Sequence, residues 1–207
     1  MATKHGSYES GKLGNKILYV VDGRQCERTM PVHVANPRTE AQQAHRSAFV
    51  EIVRLSSYMT EAHTIGLHHH AQRQKLRTYM DFRKLNKDCF TADGDIDYPR
   101  IVLSHGPVAR VFFNSIQLDQ KHTLHLTFNA NLNAGAAKPN DDLYLFAYSP
   151  VHSTGILFAP IPRNAESHTA QLPAGWPADS LHLYAFLRNR RGYTSDTIYI
   201  QLAKEKG

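Results

Sequence analysis

The segment DLYLFAYS, residues 142–149, is two patterns interleaved. Leu143, Leu145 and Ala147 make one row, and Tyr144, Phe146 and Tyr148 make the other. A period of two is what a strand shows to its opposite faces. Neither row is polar, so this strand is expected to need cover on both sides.

The same double pattern recurs downstream. In SLHLYAFLRN, Leu181, Leu183 and Ala185 alternate with His182, Tyr184 and Phe186; in DTIYIQLA, Ile198, Ile200 and Leu202 flank Tyr199. Upstream, Leu124, Leu126 and Phe128 repeat the aliphatic row. Adding RIVLSHG, ARVFFNSIQL, TGILFAP and SHTAQLP gives a series of short strands separated by Gly, Pro, Asn and Asp. That rhythm predicts an antiparallel β-sandwich of the immunoglobulin or fibronectin type over residues 98–207. The absence of a Cys…Trp…Cys pattern favours the fibronectin-like variant. The aliphatic rows face inward. The opposite rows then form a candidate aromatic face of Tyr144, Phe146, Tyr184, Phe186 and Tyr199. So much apolar surface is expected to lie under a lid, either helices of the same chain or another chain.

Helices are expected just upstream. In NPRTEAQQAHRSAF, Asn36 suits an N-cap with Pro37 in the first turn, and Thr39 with Gln42 offers an alternative capping box. Ala41, Ala44, Ala48, Ile52, Leu55 and Met59 continue at helical spacing with Phe49 and Val53 beside them. After a break near Gly66, AQRQKLRTYMDFRKLNKDCF reads as a further helix with Leu76, Tyr79, Met80, Phe82 and Leu85 on its apolar side. Before these helices, NKILYVVDGRQCERTMP places Asp22-Gly23 between two extended runs, a hairpin turn that sets Tyr19 opposite Cys26 and Ile17 opposite Arg28. The glycine-bearing SGKLGNK ahead of it reads as a flexible entry. The expected organisation is therefore α+β: residues 1–92 as a β-hairpin arm plus a small helical unit, packed on the sandwich of residues 98–207.

Charge is uneven. The chain has 207 residues and a formal charge of +6; residues 1–90 hold 14 Lys/Arg against 8 Asp/Glu, and residues 91–207 hold 10 of each. A basic surface with Arg24, Arg28, Arg54, Arg190 and Arg191 is the candidate contact for an anion. Arg190 and Arg191 fall at the expected tip of the last hairpin, a place where loops meet partners.

Templates for chemistry do not match. SGKLGNK lacks the spacing and final hydroxyl of a phosphate loop, and DGDIDY places Tyr98 where a calcium loop needs glycine. Consecutive residues on a helix point about 100° apart, so His68 to His70 do not converge on one ion. No nucleophile elbow or zinc-protease helix is present. The reading assigns no catalytic residue, no metal and no cofactor. Two distant cysteines, Cys26 and Cys89, form no disulfide framework. With no apolar leader in MATKHGSYESGKLGNK and no run of about 20 apolar residues, a cytoplasmic protein without membrane contact is expected.

The phrases SGKLGNKILYVVDGRQCERTMP, NPRTEAQQAHRSAF and DIDYPRIVLSHGPV together resemble a domain-of-unknown-function family of anaerobic gut and oral bacteria, over nearly the whole chain. Similar N-terminal segments occur in phage-encoded proteins. The likeness rests on Gly11, Gly14 and Gly23, on Asn36 to Thr39 with Ala41, Gln42, Arg46 and Phe49, and on Asp97, Tyr98, Leu103, Ser104 and Gly106. It implies no activity; the phage-like part implies a structural or assembly role. Asn36, Pro37, Arg38, Thr39, Gln42, Arg46, Asp97 and Tyr98 are the candidate structural or interaction residues, with Gln42 and Arg46 tying helix to arm and Arg38 or Arg46 meeting Asp97. The expected function is a non-enzymatic interaction or assembly module, binding a protein partner or itself and no small-molecule substrate. A nucleic-acid-associated protein is the alternative.

Overall fold

In a computed structural model of the protein, the structure describes residues 2–5, 8–31, 38–91, 94–135 and 137–202. The chain divides into two units, Met1–Thr39 and Glu40–Gly207.

The first unit is one antiparallel sheet in chain order, β1 (Ala2–His5), β2 (Tyr8–Leu13), β3 (Lys16–Val21) and β4 (Arg24–Thr29). Asp22 and Gly23 both take positive φ, 49° and 73°, and the turn sets Tyr19 opposite Cys26 and Ile17 opposite Arg28 as the sequence requires. A second turn at Gly14-Asn15 pairs Leu13 with Lys16. The stretch read as a flexible entry is thus mostly strand. Its register is held by backbone pairing, and its Gly and Lys content hides the alternation on which a sequence reading depends.

The second unit opens with four helices: α1 (Glu40–Tyr58), α2 (Thr60–Gly66), α3 (His68–Arg73) and α4 (Thr78–Asn86). Arg38 has φ +49°, a left-handed conformation, so the helix starts after it and Thr39 takes the cap position with Gln42 at the third helical residue. Asn36 and Pro37 lie outside the described residues. The single helix expected over residues 71–90 is broken between α3 and α4, where Lys75 is left-handed at φ +54°.

Eight strands follow: β5 (Phe112–Leu118), β6 (Thr123–Asn129), β7 (Asp142–Ser149), β8 (Thr154–Leu157), β9 (Ile161–Pro162), β10 (Ser167–Gln171), β11 (His182–Arg188) and β12 (Ile198–Ile200). They form two antiparallel sheets, ordered β10-β6-β5 and β12-β11-β7-β8, with β9 also on β7. Leu124, Leu126 and Phe128 of the first sheet share one core with Leu143, Leu145, Ala147, Leu183, Ala185 and Ile200 of the second. These are the rows predicted to face inward.

The opposite rows of β7 and β11 are buried too. Tyr144, Phe146, Tyr148, Tyr184 and Phe186 form a second cluster with Ile52, Leu55, Met59, Ala62, Leu67 and Phe82 of the helical segment. The helices are the lid. Each leucine, isoleucine, methionine or phenylalanine side chain so removed from water contributes about 1.5–3 kcal/mol. The helical segment thus shares a core with the central sheet, and the chain divides at Thr39–Glu40.

One predicted strand is absent. A 3-10 turn, Tyr98–Arg100, leads into RIVLSHG, which runs on as a strap without strand pairing. Several of its amides are taken by side chains instead: those of Leu103 and Ser104 donate to Thr197 Oγ1 (2.8 and 2.9 Å) and that of Gly106 to Asp196 Oδ1 (3.3 Å). The strap passes so close to α2 that a Cβ on Gly66 would lie 2.3 Å from the Leu103 carbonyl oxygen.

Candidate interaction surfaces

The candidate residues separate into those that hold the body together and those that face outward. Tyr144, Phe146, Tyr184 and Phe186 are buried, and Tyr199 is half-buried, so the aromatic face lies inside the second unit. Tyr98 sits at its margin: its ring stacks on His182 at 3.9 Å, and its carbonyl accepts a hydrogen bond from Tyr184 Oη (2.9 Å). Burial raises the phenol pKa values of Tyr98, Tyr148, Tyr184 and Tyr199. Burial also pushes the His182 imidazole down to about 4, leaving a neutral ring 2.9 Å from Tyr199 Oη.

Asp97 has Arg100 as its cation, three residues along the same turn, at 3.7 Å. Arg38, Thr39, Gln42 and Arg46 are exposed at the start of α1 and each is engaged in an interaction. Further along that helix, Arg54 pairs with Glu51 (2.8 Å). Arg190 and Arg191 are exposed on the loop after β11. Arg24 and Arg28 lie in the other unit, on β4. The five cations grouped from the sequence are thus distributed over three elements.

Several histidine contacts escaped the sequence reading because the partners lie elsewhere along the chain. The HHH run does diverge. His69 stacks on Tyr193 (4.6 Å) with Nε2 3.1 Å from the Arg191 carbonyl oxygen, while His70 Nδ1 meets the buried Asp81 carboxylate at 2.6 Å. His105 of the strap stands edge-on to His70 (4.8 Å) and contacts Asp196 Oδ1 at 2.7 Å. Burial opposes ionisation of Asp196, but hydrogen bonds from Arg110 and the Gly106 amide, with His105 nearby, outweigh it and hold the carboxyl below its ordinary value. His63 is buried against Phe82, with Nε2 3.1 Å from the Ser56 carbonyl oxygen; burial lowers its pKa despite that bond. A carboxylate behind an imidazole fixes its ring orientation and tautomer. Here that geometry joins α3 to α4 through His70 and Asp81. Among the described residues, no group of three or more His, Cys, Asp or Glu side chains is placed to hold a metal ion.

The N-terminal sheet is different in kind. Every described side chain from Glu9 to Met30 is exposed or half-buried, including Leu13, Ile17, Leu18, Tyr19, Val20 and Val21. Register assigns the side chains to faces. Lys12, Ile17 and Arg28 share one row, Tyr19 and Cys26 the next, and Val21 and Arg24 the last, all on one face. Leu13, Lys16, Leu18, Val20, Gln25 and Glu27 occupy the other, where Lys16 and Glu27 pair at 2.9 Å. Among the described side chains, the first face carries three cations and no carboxylate.

The chain belongs to a family of unknown function, DUF6266, whose sequence profile matches residues 8–201. The match covers β2 to β4 of the N-terminal sheet and the strands and helices of the second unit. No curated protein matches the chain. Among the described residues, no helix is long and apolar enough to cross a membrane.

Proposed function

We propose that this protein is a non-enzymatic interaction or assembly module. In this reading the body is an immunoglobulin- or fibronectin-like sandwich with helices closed over its aromatic side, and it serves as scaffold. The N-terminal sheet is the element offered to a protein partner. One observation carries the proposal: β3 is rich in apolar residues, yet none of its side chains is buried. A sheet gains independent stability from a covered apolar face, and one without cover is completed by what it binds. The phage-like resemblance of the N-terminal segment fits an assembly role, and the two free thiols fit a reducing, cytoplasmic setting.

The test uses the full chain immobilised beside a Tyr19→Asp/Val21→Asp variant of matched melting temperature. A partner identified by mass spectrometry and retained only by the parent supports the reading. Identical retention by both proteins overturns it. A second reading, contact with nucleic acid, is favoured by Lys12, Arg24 and Arg28 on one face. It requires retention on single-stranded DNA or RNA that weakens steeply with salt.

A further inference from the structure

We infer that the open edge of β4 accepts an extended acidic segment of a partner protein as a fifth strand of the N-terminal sheet. This rests on the interaction-module reading and names the chemistry of the partner.

Among the described residues, β4 is the last strand of its sheet and pairs with β3 over six consecutive residues, from Val21↔Arg24 to Lys16↔Thr29, without a bulge. The strand contains no proline. A straight edge of this kind leaves outward N–H and C=O groups as a template for another strand. Its side chains then select the occupant. On one face Gln25 is committed to the sheet, its side-chain amide bonding the Glu9 backbone in both directions (2.8 and 3.0 Å), and Glu27 is matched by Lys16 at 2.9 Å. On the other face stand Arg24, Cys26 and Arg28, with Tyr19 beside Cys26 and Lys12 in the row of Arg28.

An incoming strand lies about 4.8 Å from β4 and presents alternate residues to that face. Directly opposed pairs of unlike charge are favourable and like charges are not. The matching pattern is acidic, apolar, acidic at every second position. A second copy of β4 does not supply it. Antiparallel self-pairing that keeps the faces aligned centres on one residue. Centred on Cys26 it sets Arg24 against Arg28, and centred on Glu27 it sets two carboxylates together.

The probe is the blocked peptide Thr-Glu-Thr-Val-Thr-Glu-Thr, whose order is the same in either strand direction, titrated into the full-length protein and followed by fluorescence anisotropy. Binding is expected. It should weaken by about tenfold or more when alternate peptide amides are N-methylated, which removes the backbone bonds. The Arg24→Glu/Arg28→Glu variant should lose the peptide and gain its lysine-for-glutamate counterpart. That reciprocal gain shows the variant is folded. No binding, indifference to N-methylation, or equal binding of the glutamate peptide by the variant each overturns the inference. Displacement of the peptide by a tighter-binding oligothymidylate overturns it in favour of nucleic acid. If the peptide fails while the Tyr19→Asp/Val21→Asp variant still loses its captured partner, the edge is refuted and the interaction module stands.

Discussion

β3 and β11 are strands of similar length, both rich in apolar residues and both paired on two sides. β11 reads half-buried, then five buried residues, then half-buried again, whereas β3 has no buried residue. Backbone pairing is equally regular in both, with seven matched positions between β11 and β7 and six between β3 and β4. What separates them is cover. β11 has the aliphatic core on one face and the helices on the other. Strand formation and burial are therefore distinct properties here: β3 has the former, and β11 has both.

The sharpest way to break this contrast is to remove matched side chains. Phe186→Ala, in the core under the helices, is expected to cost about 3–5 kcal/mol in urea denaturation. Val20→Ala on the small sheet should stay within about 0.5 kcal/mol. Equal losses would mean that the small sheet is cooperative with the body.

A comparable loss is expected from a buried ion pair of the second unit. Arg163 and Asp141 are both buried and face each other at 3.4 Å, with Arg163 also donating to the Ala109 carbonyl. Arg163→Met strands a buried carboxylate and should cost about 3–5 kcal/mol. Lys16→Ala removes the exposed pair with Glu27 and should cost less than about 1 kcal/mol. Reversal of that order would show that the small sheet depends on its ion pair.

A smaller effect is expected from pH. His182 and His63 are held below their ordinary range, so the unfolded chain takes up their protons first. Their contribution is intact above about pH 6.5 and is lost as pH falls below it, for His182 toward about 4. The melting temperature should drop across that window, by about 2–4 °C for each 1 kcal/mol lost. His182→Gln should flatten the profile. The smallest effect lies on the helices: Met80→Lys is expected to change stability by no more than about 0.5 kcal/mol, because Met80 is 44% exposed.

The rows of β7, β11 and β12 were legible because a strand covered on both faces repeats its pattern without interruption. The Asp22-Gly23 turn was legible because positive φ at both positions restricts the residues that fit. The strap at 101–108 was not. Its Ile101 and Leu103 are buried like strand residues, but the amides of Leu103, Ser104 and Gly106 are satisfied by the Thr197 and Asp196 side chains, and nothing local records such distant partners. Tyr79 and Phe49 read as apolar-face residues, yet both are exposed with the Arg83 guanidinium over their rings at 4.8 and 5.8 Å. His63 was missed for the opposite reason, a polar residue placed in the core. Of the candidate surface, the placement of Arg24 and Arg28 on one face followed from the turn alone. The three cations of that face required β2, which the composition of SGKLGNK concealed.

The strap has a consequence for biosynthesis. The Thr194 hydroxyl donates to the Gly66 carbonyl at 2.9 Å, and Thr197 receives the Leu103 and Ser104 amides. On the ribosome, Thr194 and Thr197 are made only after β11, long after Gly66, Leu103 and Ser104. A nascent chain therefore carries the strap and α2 without this clasp from the time they are made until the last strands follow, an interval in which chaperone capture and aggregation compete with completion.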